Sequence, residues 1–251
     1  MSRILCWFSC GAASAVATKL VLGEGHPNVV VAYTDTGSEH PDNERFLADC
    51  QEWFGVEIVR LRSEKYESTW DVWSKRRFLA SPAGALCTAE LKKKPRFAFQ
   101  HADDVQVFGY TADKADAARA VRFSEQNPDV MLRTPLIERG LTKGNCLALL
   151  EREGIALPAM YALGYRNNNC VGCVKGGMGY WNKIRVDFPD VFARMSELES
   201  EIGATVLRDN GRPLPLSELH PDRGRYAAES IECSLLCAGA EFAVLDKEEQ
   251  R

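Results

Sequence analysis

The feature that most constrains the fold is a regular alternation of short apolar runs with helix-like stretches through the first 155 residues. Residues 28–33 (NVVVAY) form a continuous run rich in β-branched side chains, as expected of a strand buried on both faces. Strands alternating with helices at this spacing predict βαβ units, and therefore an α/β fold with a mostly parallel, twisted sheet and helices on both faces. The other predicted strands are residues 4–8, 56–61, 105–109 and one around Leu132, and the predicted helices are residues 12–23, 41–54, 113–123 and 142–153, the last with Thr142 as its N-cap.

The pattern changes after about residue 155. Glycine, asparagine and cysteine crowd residues 163–180, and residues 189–202 predict one amphipathic helix. Residues 209–226 are rich in Pro, Gly and Arg, which predicts a loop. We therefore expect a nucleotide-binding α/β domain over residues 1–155 and a cysteine-rich extension of helices and loops, packed on it, over residues 156–251.

Composition and charge narrow the functional classes. The chain is 45% hydrophobic and 26% charged, which is typical of a soluble globular protein. A formal net charge of -4 argues against a dominant nucleic-acid-binding surface. No apolar run approaches the length of a membrane span, and residues 4–8 lack the length and cleavage site of a signal peptide. We expect a cytoplasmic protein without a membrane partner.

A loop of small residues follows the first strand and opens the first helix. Small side chains let the backbone approach a ligand closely, and the N–H groups at a helix N-terminus favour an anion. The pattern predicts a phosphate cradle, although a tight turn with a serine N-cap would have the same composition. The residues of this first loop are Ser9, Cys10, Gly11, Ala12, Ala13 and Ser14.

The first loop resembles the PP-loop, Ser-Gly-Gly-x-Asp-Ser, of the adenine-nucleotide α-hydrolase-like superfamily, whose sheet is Rossmann-like. Cys10 replaces a glycine of that motif, and Ala13 replaces its aspartate. In the superfamily this aspartate is typical of members that cleave ATP between the α and β phosphates. Its loss implies, by resemblance, that this chain binds an already activated nucleotide.

Two strand ends are similar to segments of phosphoadenosine-phosphosulfate (PAPS) reductases. Gly109 begins a segment similar to the family's Gly-x-Arg-x-Asp, but Thr111 stands where arginine is usual. Arg119 or Arg122 on the next helix could provide the missing anion contact. Alternatively, both arginines lie on a solvated helix face. Polar groups at the carboxyl ends of parallel strands are well placed for a nucleoside. The other segment, similar to the family's Asp-Thr-Gly, is Asp35, Thr36 and Gly37.

Cys87 lies five residues before a Lys-x-x-Pro segment that begins at Lys92, as in family members. The adenylylsulfate (APS) reductases have adjacent cysteines here, both cluster ligands. Cys87 matches the first, and Thr88 replaces the second. The resemblance implies that Cys87 is a metal ligand and Lys92 an anion contact, whereas the lysine run alone is also compatible with an ordinary solvated stretch.

Cys170-Val-Gly-Cys173 is the strongest local metal signal. Two thiolates three positions apart, with a glycine between them, can chelate one ion or cluster. The spacing suits a [4Fe–4S] cluster or tetrahedral zinc, and a metal-free redox dithiol is a third alternative. Resemblance to the APS reductases favours iron–sulfur, with Cys87 and Cys237 completing the four ligands.

Glu232-Cys233 begins a segment similar to the Glu-Cys-Gly-Leu-His motif of PAPS and APS reductases. In that family the cysteine thiolate attacks the sulfur of the activated sulfate, and thioredoxin or glutathione later releases sulfite. Cys233 is thereby implied as the catalytic nucleophile. Ser234 and Leu236 replace the glycine and the histidine, and Cys237 is an addition one helical turn on, so either cysteine could be the fourth ligand.

The resemblance implies an oxidoreductase of sulfur metabolism that converts APS or PAPS to sulfite. The alternative is an iron–sulfur sulfurtransferase of the PP-loop type that acts on a nucleotide or nucleic acid. Expected partners are an adenine nucleotide (APS, PAPS or ATP) and a thioredoxin or glutathione-type reductant; a homo-oligomer is compatible. Cys6, Cys50 and Cys146 lie among apolar or helical neighbours, and we expect them to be buried small hydrophobes.

Overall fold

A computed structural model describes residues 2–81 and 84–228. These residues form two compact units. The sheet unit comprises residues 2–35, 40–62 and 95–168, and the cysteine unit comprises residues 36–39, 63–81, 84–94 and 169–228. The units are interleaved along the chain, whereas the sequence predicts a single boundary near residue 155.

The sheet unit contains a five-stranded sheet in which every neighbouring pair is parallel. Its strand order is β3-β2-β1-β4-β5, so the chain builds outward first on one side of β1 and then on the other. The predicted α/β fold with a mostly parallel, Rossmann-like sheet is confirmed. The strands are β1 (Ile4–Trp7), β2 (Val29–Thr34), β3 (Ile58–Leu61), β4 (Val105–Val107) and β5 (Met131–Arg133).

Eleven α-helical segments lie within the described parts of the chain. A π-helical stretch, Ala89–Lys93, joins the fourth to the fifth. None of the described helices is long and apolar enough to cross a membrane. In chain order they are α1 (Ala12–Leu22), α2 (Asn43–Phe54), α3 (Thr69–Arg76), α4 (Leu86–Thr88), α5 (Lys94–Phe99), α6 (Lys114–Gln126), α7 (Pro135–Glu138), α8 (Lys143–Arg152), α9 (Ala159–Ala162), α10 (Met178–Asp187) and α11 (Pro189–Ile202).

Helices cover both faces of the sheet because successive strand residues point in opposite directions. Cys6 and Phe8 belong to an apolar cluster that includes Val16 of α1 and Leu150 of α8. Trp7 points to the other face, where its ring packs edge-on against a ring of α5, with 6.5 Å between centroids. At the start of α8, Thr142 and Asn145 form a reciprocal capping box, which confirms the predicted N-cap.

In the cysteine unit, α11 has the predicted bounds, but the loop predicted over residues 209–226 is partly wrong. Those residues contribute to an antiparallel hairpin of β6 (Leu207–Asp209) and β7 (Arg212–Leu214), followed by a 3-10 turn. Asn210 and Gly211 form the turn with positive φ values of 47° and 82°. An Asn-Gly pair of this kind is a strong hairpin signal that the count of Pro, Gly and Arg obscured.

Helix α10 lies where the sequence showed only a glycine-rich stretch. Its glycine serves a close backbone contact: a Cβ on Gly179 would lie 2.3 Å from the backbone nitrogen of Tyr226. Trp181 is fully buried, with its ring against those of Tyr180 and Phe192. Trp181 therefore acts as a packing anchor for α10 and α11.

Candidate functional site

The strand order reverses between β1 and β4, and in open α/β sheets ligands bind outside the carboxyl ends of the strands at such a switch point. The first loop follows β1, and Gly109 follows β4. A Cβ on Gly109 would lie 2.7 Å from both the N and the Cα of Ser14. Glycine is therefore required at position 109 for the end of β4 to lie against the first loop.

The first loop is held by its own hydroxyls. Ser14 Oγ accepts a hydrogen bond from the Ser9 N–H at 3.0 Å and donates to the Gly11 carbonyl at 2.9 Å. Cys10 has a φ of 56°, the left-handed region that favours glycine, and its buried thiol donates to the Asn43 carbonyl at 3.5 Å. Cys10 thus adopts a backbone conformation that glycine reaches without strain.

Two residues that the sequence did not single out support the loop from residues 159–168. Asn168 Nδ2 donates to the Cys10 carbonyl at 2.6 Å and to Asn43 Oδ1 at 2.8 Å. The Tyr161 hydroxyl accepts from the Ala12 N–H at 3.4 Å. Burial raises the pKa of Tyr161 to about 12, so this hydroxyl stays protonated at neutral pH. A run of three asparagines before Cys170 was the one sequence signal near these contacts.

A cavity of about 910 Å³ in the sheet unit borders the first loop through Tyr161, which lines it. Lys143 lies over the Tyr161 ring, 5.4 Å from its centroid, and donates to the Arg166 carbonyl and to Asn167 Oδ1. Burial lowers the pKa of Lys143. The remaining walls are largely aliphatic, including Leu147 and Leu157, which together with the cations suits an organic anion.

Asp35, predicted to bind nucleotide, ends β2 in an ion-pair network. Its carboxylate lies 2.5 Å from Arg62 Nη2 and 3.4 Å from Arg60 Nη1. The Arg62 side chain is 62% exposed, whereas that of Asp35 is 6% exposed. Asp35 therefore holds a guanidinium that remains accessible to a ligand.

The segment after Gly109 replaces the expected arginine by a polar cluster. Thr111 Oγ1 lies 2.9 Å from carboxylate oxygens of both Asp113 and Asp116. Arg119 Nη1 lies 2.7 Å from Asp116 Oδ1, and its guanidinium stacks 5.6 Å from the Tyr110 ring centroid. Of the two candidate arginines, the structure links Arg119 to this cluster.

Thr36, also predicted to bind nucleotide, lies in the cysteine unit and contacts a cysteine. Its hydroxyl donates to Glu39 Oε1 at 2.6 Å and lies 3.1 Å from Cys170 Sγ. Cys170 Sγ also lies 3.8 Å from Glu39 Oε1, so the thiol, the hydroxyl and the carboxylate form one polar group. Gly37 follows with a φ of 63°, and a Cβ there would lie 2.1 Å from the Glu67 carbonyl oxygen.

The Cys170–Cys173 turn is organised around a buried tyrosine hydroxyl. Gly172 has a φ of 80°, which confirms the predicted need for glycine. The Tyr180 hydroxyl accepts from the Gly172 N–H at 3.0 Å and from the Cys173 N–H at 2.9 Å. Burial raises the pKa of Tyr180 well above its ordinary value, so the hydroxyl stays neutral. Both cysteines are 5% exposed.

Three of the four predicted metal ligands, Cys87, Cys170 and Cys173, lie in the cysteine unit, and each is buried and outside any disulfide. Cys237 and Cys233 lie outside the described residues. A tetrahedral zinc site requires sulfurs within about 3.8 Å of one another. Among the described residues these three thiols are not all within 4.8 Å of one another. As a donor set, three buried thiols suit either an iron–sulfur cluster or zinc, but they do not form a preformed zinc site.

One group of three ligand-type side chains within the described residues does lie close together: His101, Asp103 and Asp104 in the sheet unit. The Asp104 carboxylate is already bonded to Arg3, with 2.6 Å between Oδ2 and Nη2. This group is an ion-paired turn at the start of β4 rather than a match to the predicted cysteine ligands.

Lys92 lies in the cysteine unit, half-buried in the π-helical stretch that follows Cys87 by two residues. The lysine run is not uniformly solvated, since Lys93 is 5% exposed. The buried Glu90 carboxylate pairs with Lys94 at 3.1 Å and with Arg76 at 3.6 Å. These contacts fix the stretch that carries both Cys87 and Lys92.

The remaining described cysteines of the sheet unit behave as small hydrophobes, as predicted. Cys6, Cys50 and Cys146 are fully buried in the apolar cluster. Burial raises the pKa of Cys6 to about 12 and that of Cys146 to about 11, and it raises the pKa of Cys50 further.

No family model matches the chain. An uncharacterized protein of Methanocaldococcus jannaschii is 24% identical over 202 residues, which cover 77% of this chain and 41% of that protein. The chain thus spans less than half the length of this curated relative. The relative's name assigns it no activity.

Proposed function

We propose that this chain is a thiol- and iron–sulfur-dependent, reductase-like enzyme that acts on an activated sulfate nucleotide, APS or PAPS, and releases sulfite. The observation that carries the proposal is the contact of Gly109 with the first loop at the switch point of the sheet. That arrangement supports an anion at the N-terminus of α1. Ala13 stands in place of the PP-loop aspartate, which favours a substrate activated beforehand.

Nucleotide binding would use the sheet unit. At the start of α1 the Ala12 N–H is bonded to the Tyr161 hydroxyl, whereas the N–H groups of Ala13 and Ser14 have no intrahelical acceptor and can bind a phosphate oxygen. Arg62 and Arg119 offer further anion contacts, because each guanidinium is already oriented by a carboxylate. The cavity beside Tyr161 is large enough for a nucleoside.

The chemistry would use a thiolate. The Cys233 sulfur attacks the sulfur of the sulfate group, the bond from that sulfur to the bridging phosphate oxygen breaks, and the nucleotide leaves with the electron pair of that bond. A thiol of the external reductant then attacks the cysteine sulfur, which releases sulfite and leaves a mixed disulfide that a second thiol resolves. A [4Fe–4S] cluster held by Cys87, Cys170, Cys173 and Cys237 would supply a redox-active, charged centre.

The test begins with anaerobic purification. About four irons and four sulfides per chain, with a broad absorbance band near 400 nm, are expected for the cluster. Sulfur-labelled APS and PAPS are then offered with reduced thioredoxin, and release of labelled sulfite is expected from one of them. Cys233→Ser should abolish release, whereas Cys6→Ala should not. Absence of sulfite from both nucleotides would overturn the reductase proposal.

The alternative, a sulfurtransferase of the PP-loop type, is favoured by one observation. Cys10 adopts a left-handed conformation that favours glycine, which is the residue of the PP-loop motif at this position. Conversion of ATP to AMP and pyrophosphate, in place of sulfite release, would select this alternative.

A further inference from the structure

The Cys170–Cys173 turn presents two backbone amides to one point. Gly172 adopts the left-handed conformation, and successive N–H groups in such a turn form a concave nest that binds an electronegative atom. The occupant of this nest is the Tyr180 hydroxyl oxygen, 3.0 Å from the Gly172 nitrogen and 2.9 Å from the Cys173 nitrogen. The Cys170 carbonyl oxygen lies 3.4 Å from the same hydroxyl and accepts its hydrogen.

These three bonds tie one side chain to the whole turn. Tyr180 is 2% exposed and is held on the first turn of α10, with its ring 5.7 Å from that of Trp181. Water therefore does not compete for the nest. In metal centres held by thiolates, backbone amides of this kind commonly donate hydrogen bonds to the ligand sulfurs. Such bonds stabilise the reduced state of the centre, because it carries one more negative charge.

We infer that the Tyr180 hydroxyl is a positioning group of the cysteine-held centre, which fixes the Cys170–Cys173 turn and keeps the Gly172 and Cys173 amides bonded to itself instead of to metal-bound sulfur. The inference rests on the proposed function in that it takes these cysteines as metal ligands. The consequence is that the reduction potential of the centre is more negative than it would be if the Gly172 and Cys173 amides donated to metal-bound sulfur.

The test compares Tyr180→Phe with Tyr66→Phe, a buried tyrosine of the same unit that lies outside the Cys170–Cys173 turn. Both variants and the wild type are loaded with iron and sulfide without oxygen, and the potential is titrated by absorbance. Removal of the hydroxyl leaves two buried amides without an acceptor, so they turn to sulfur. At a fixed solution potential, we expect the ratio of reduced to oxidised cluster to rise about tenfold in Tyr180→Phe. For a one-electron couple this corresponds to a reduction potential about 59 mV more positive. Tyr66→Phe should match the wild type.

An unchanged potential and spectrum in a loaded Tyr180→Phe protein would overturn the inference and leave the proposed function intact. A wild type that holds no cluster after loading would overturn both. If Tyr180→Phe does not fold, amide exchange at Gly172 and Cys173 in the wild type decides. Equal protection with and without the cluster is expected, whereas protection that arises only on loading would show the amides bonded to sulfur and contradict the inference.

Discussion

The cysteines of the two units are equally buried, yet their surroundings differ. Cys6 and Cys146 of the sheet unit lie among hydrocarbon side chains, and burial raises the pKa of each thiol. Cys170 of the cysteine unit has the Thr36 hydroxyl at 3.1 Å and the Glu39 carboxylate at 3.8 Å, and the Cys173 N–H is bonded to a buried hydroxyl. Burial alone therefore does not separate the two groups of cysteines; the polar groups around the thiol do.

The largest expected difference between the cysteines of the two units is in the metal content of their alanine variants. Cys170→Ala and Cys173→Ala should each abolish bound iron, because each removes one of the four thiolates proposed to hold the cluster. Cys6→Ala and Cys146→Ala should keep the iron content of the wild type. Iron and sulfide assays on anaerobically purified protein measure the difference. Full iron in Cys170→Ala would show that the two classes of cysteine are not functionally distinct.

The pH dependence of thiol alkylation tests the same difference between the cysteines of the two units. The thiolate is the reactive form, so a pKa of about 12 for Cys6 and about 11 for Cys146 leaves roughly one in ten thousand and one in a thousand ionised at pH 8. Labelling by iodoacetamide in the native protein should be negligible at pH 8, and the ionised fraction rises about tenfold for each pH unit up to the pKa.

Peptide mass spectrometry of the metal-free protein reads out this labelling. Cys170 should be labelled before Cys6 and Cys146, and all three should react after denaturation. Rapid labelling of native Cys6 would show that hydrocarbon packing does not protect it.

In the sheet unit, we expect nucleotide binding to depend on the backbone of the first loop and not on the buried cysteine thiols. Gly109→Ala places a Cβ 2.7 Å from Ser14 backbone atoms, which we expect to lower the free energy of unfolding by about 1–3 kcal/mol and to weaken binding of AMP. Gly144→Ala is the matched control, because its nearest atom lies 3.8 Å away within a helix start. Urea unfolding and calorimetric titration with AMP measure both effects. Equal AMP affinity in Gly109→Ala and wild type would remove the loop from the proposed site.

The smallest effect concerns the polar partner of Cys170. Thr36→Val removes the hydroxyl that donates to Glu39 and contacts the Cys170 thiol, which should lower the free energy of unfolding of the metal-free protein by about 1 kcal/mol. Thr18→Val, in a buried threonine of α1, is the control and should cost less. Urea unfolding of the metal-free protein measures both free energies. Equal decreases in the two variants would mean that the Thr36 contacts stabilise the fold no more than those of an ordinary buried threonine.

Periodicity predicted the sheet unit well because β1 and most of β2 are buried on both faces and the turn after β1 carries small residues. The five strands, the first loop and the Thr142 cap follow from local signals of this kind. The contacts of Tyr161, Asn168 and Tyr180 could not be predicted, because each joins positions that are set by tertiary packing. Thr36 shows the limit most directly: one residue after Asp35, it contacts a cysteine 134 positions away.

The bounds of α10 and the hairpin were missed for a different reason. Glycine in a sequence lowers the expectation of regular structure, yet Gly179 permits a backbone crossing and Gly211 forms a tight turn. The same residue type marks irregular chain in one place and close packing in another, and composition does not separate the two.

The interleaving of the two units bears on how this protein can be divided. Within the described chain the backbone passes from one unit to the other at residues 35/36, 39/40, 62/63, 94/95 and 168/169. Any single cut leaves fragments of which at least one carries an incomplete unit. The sheet unit and the cysteine unit consequently cannot be separated by truncation, or by gene fusion at one point.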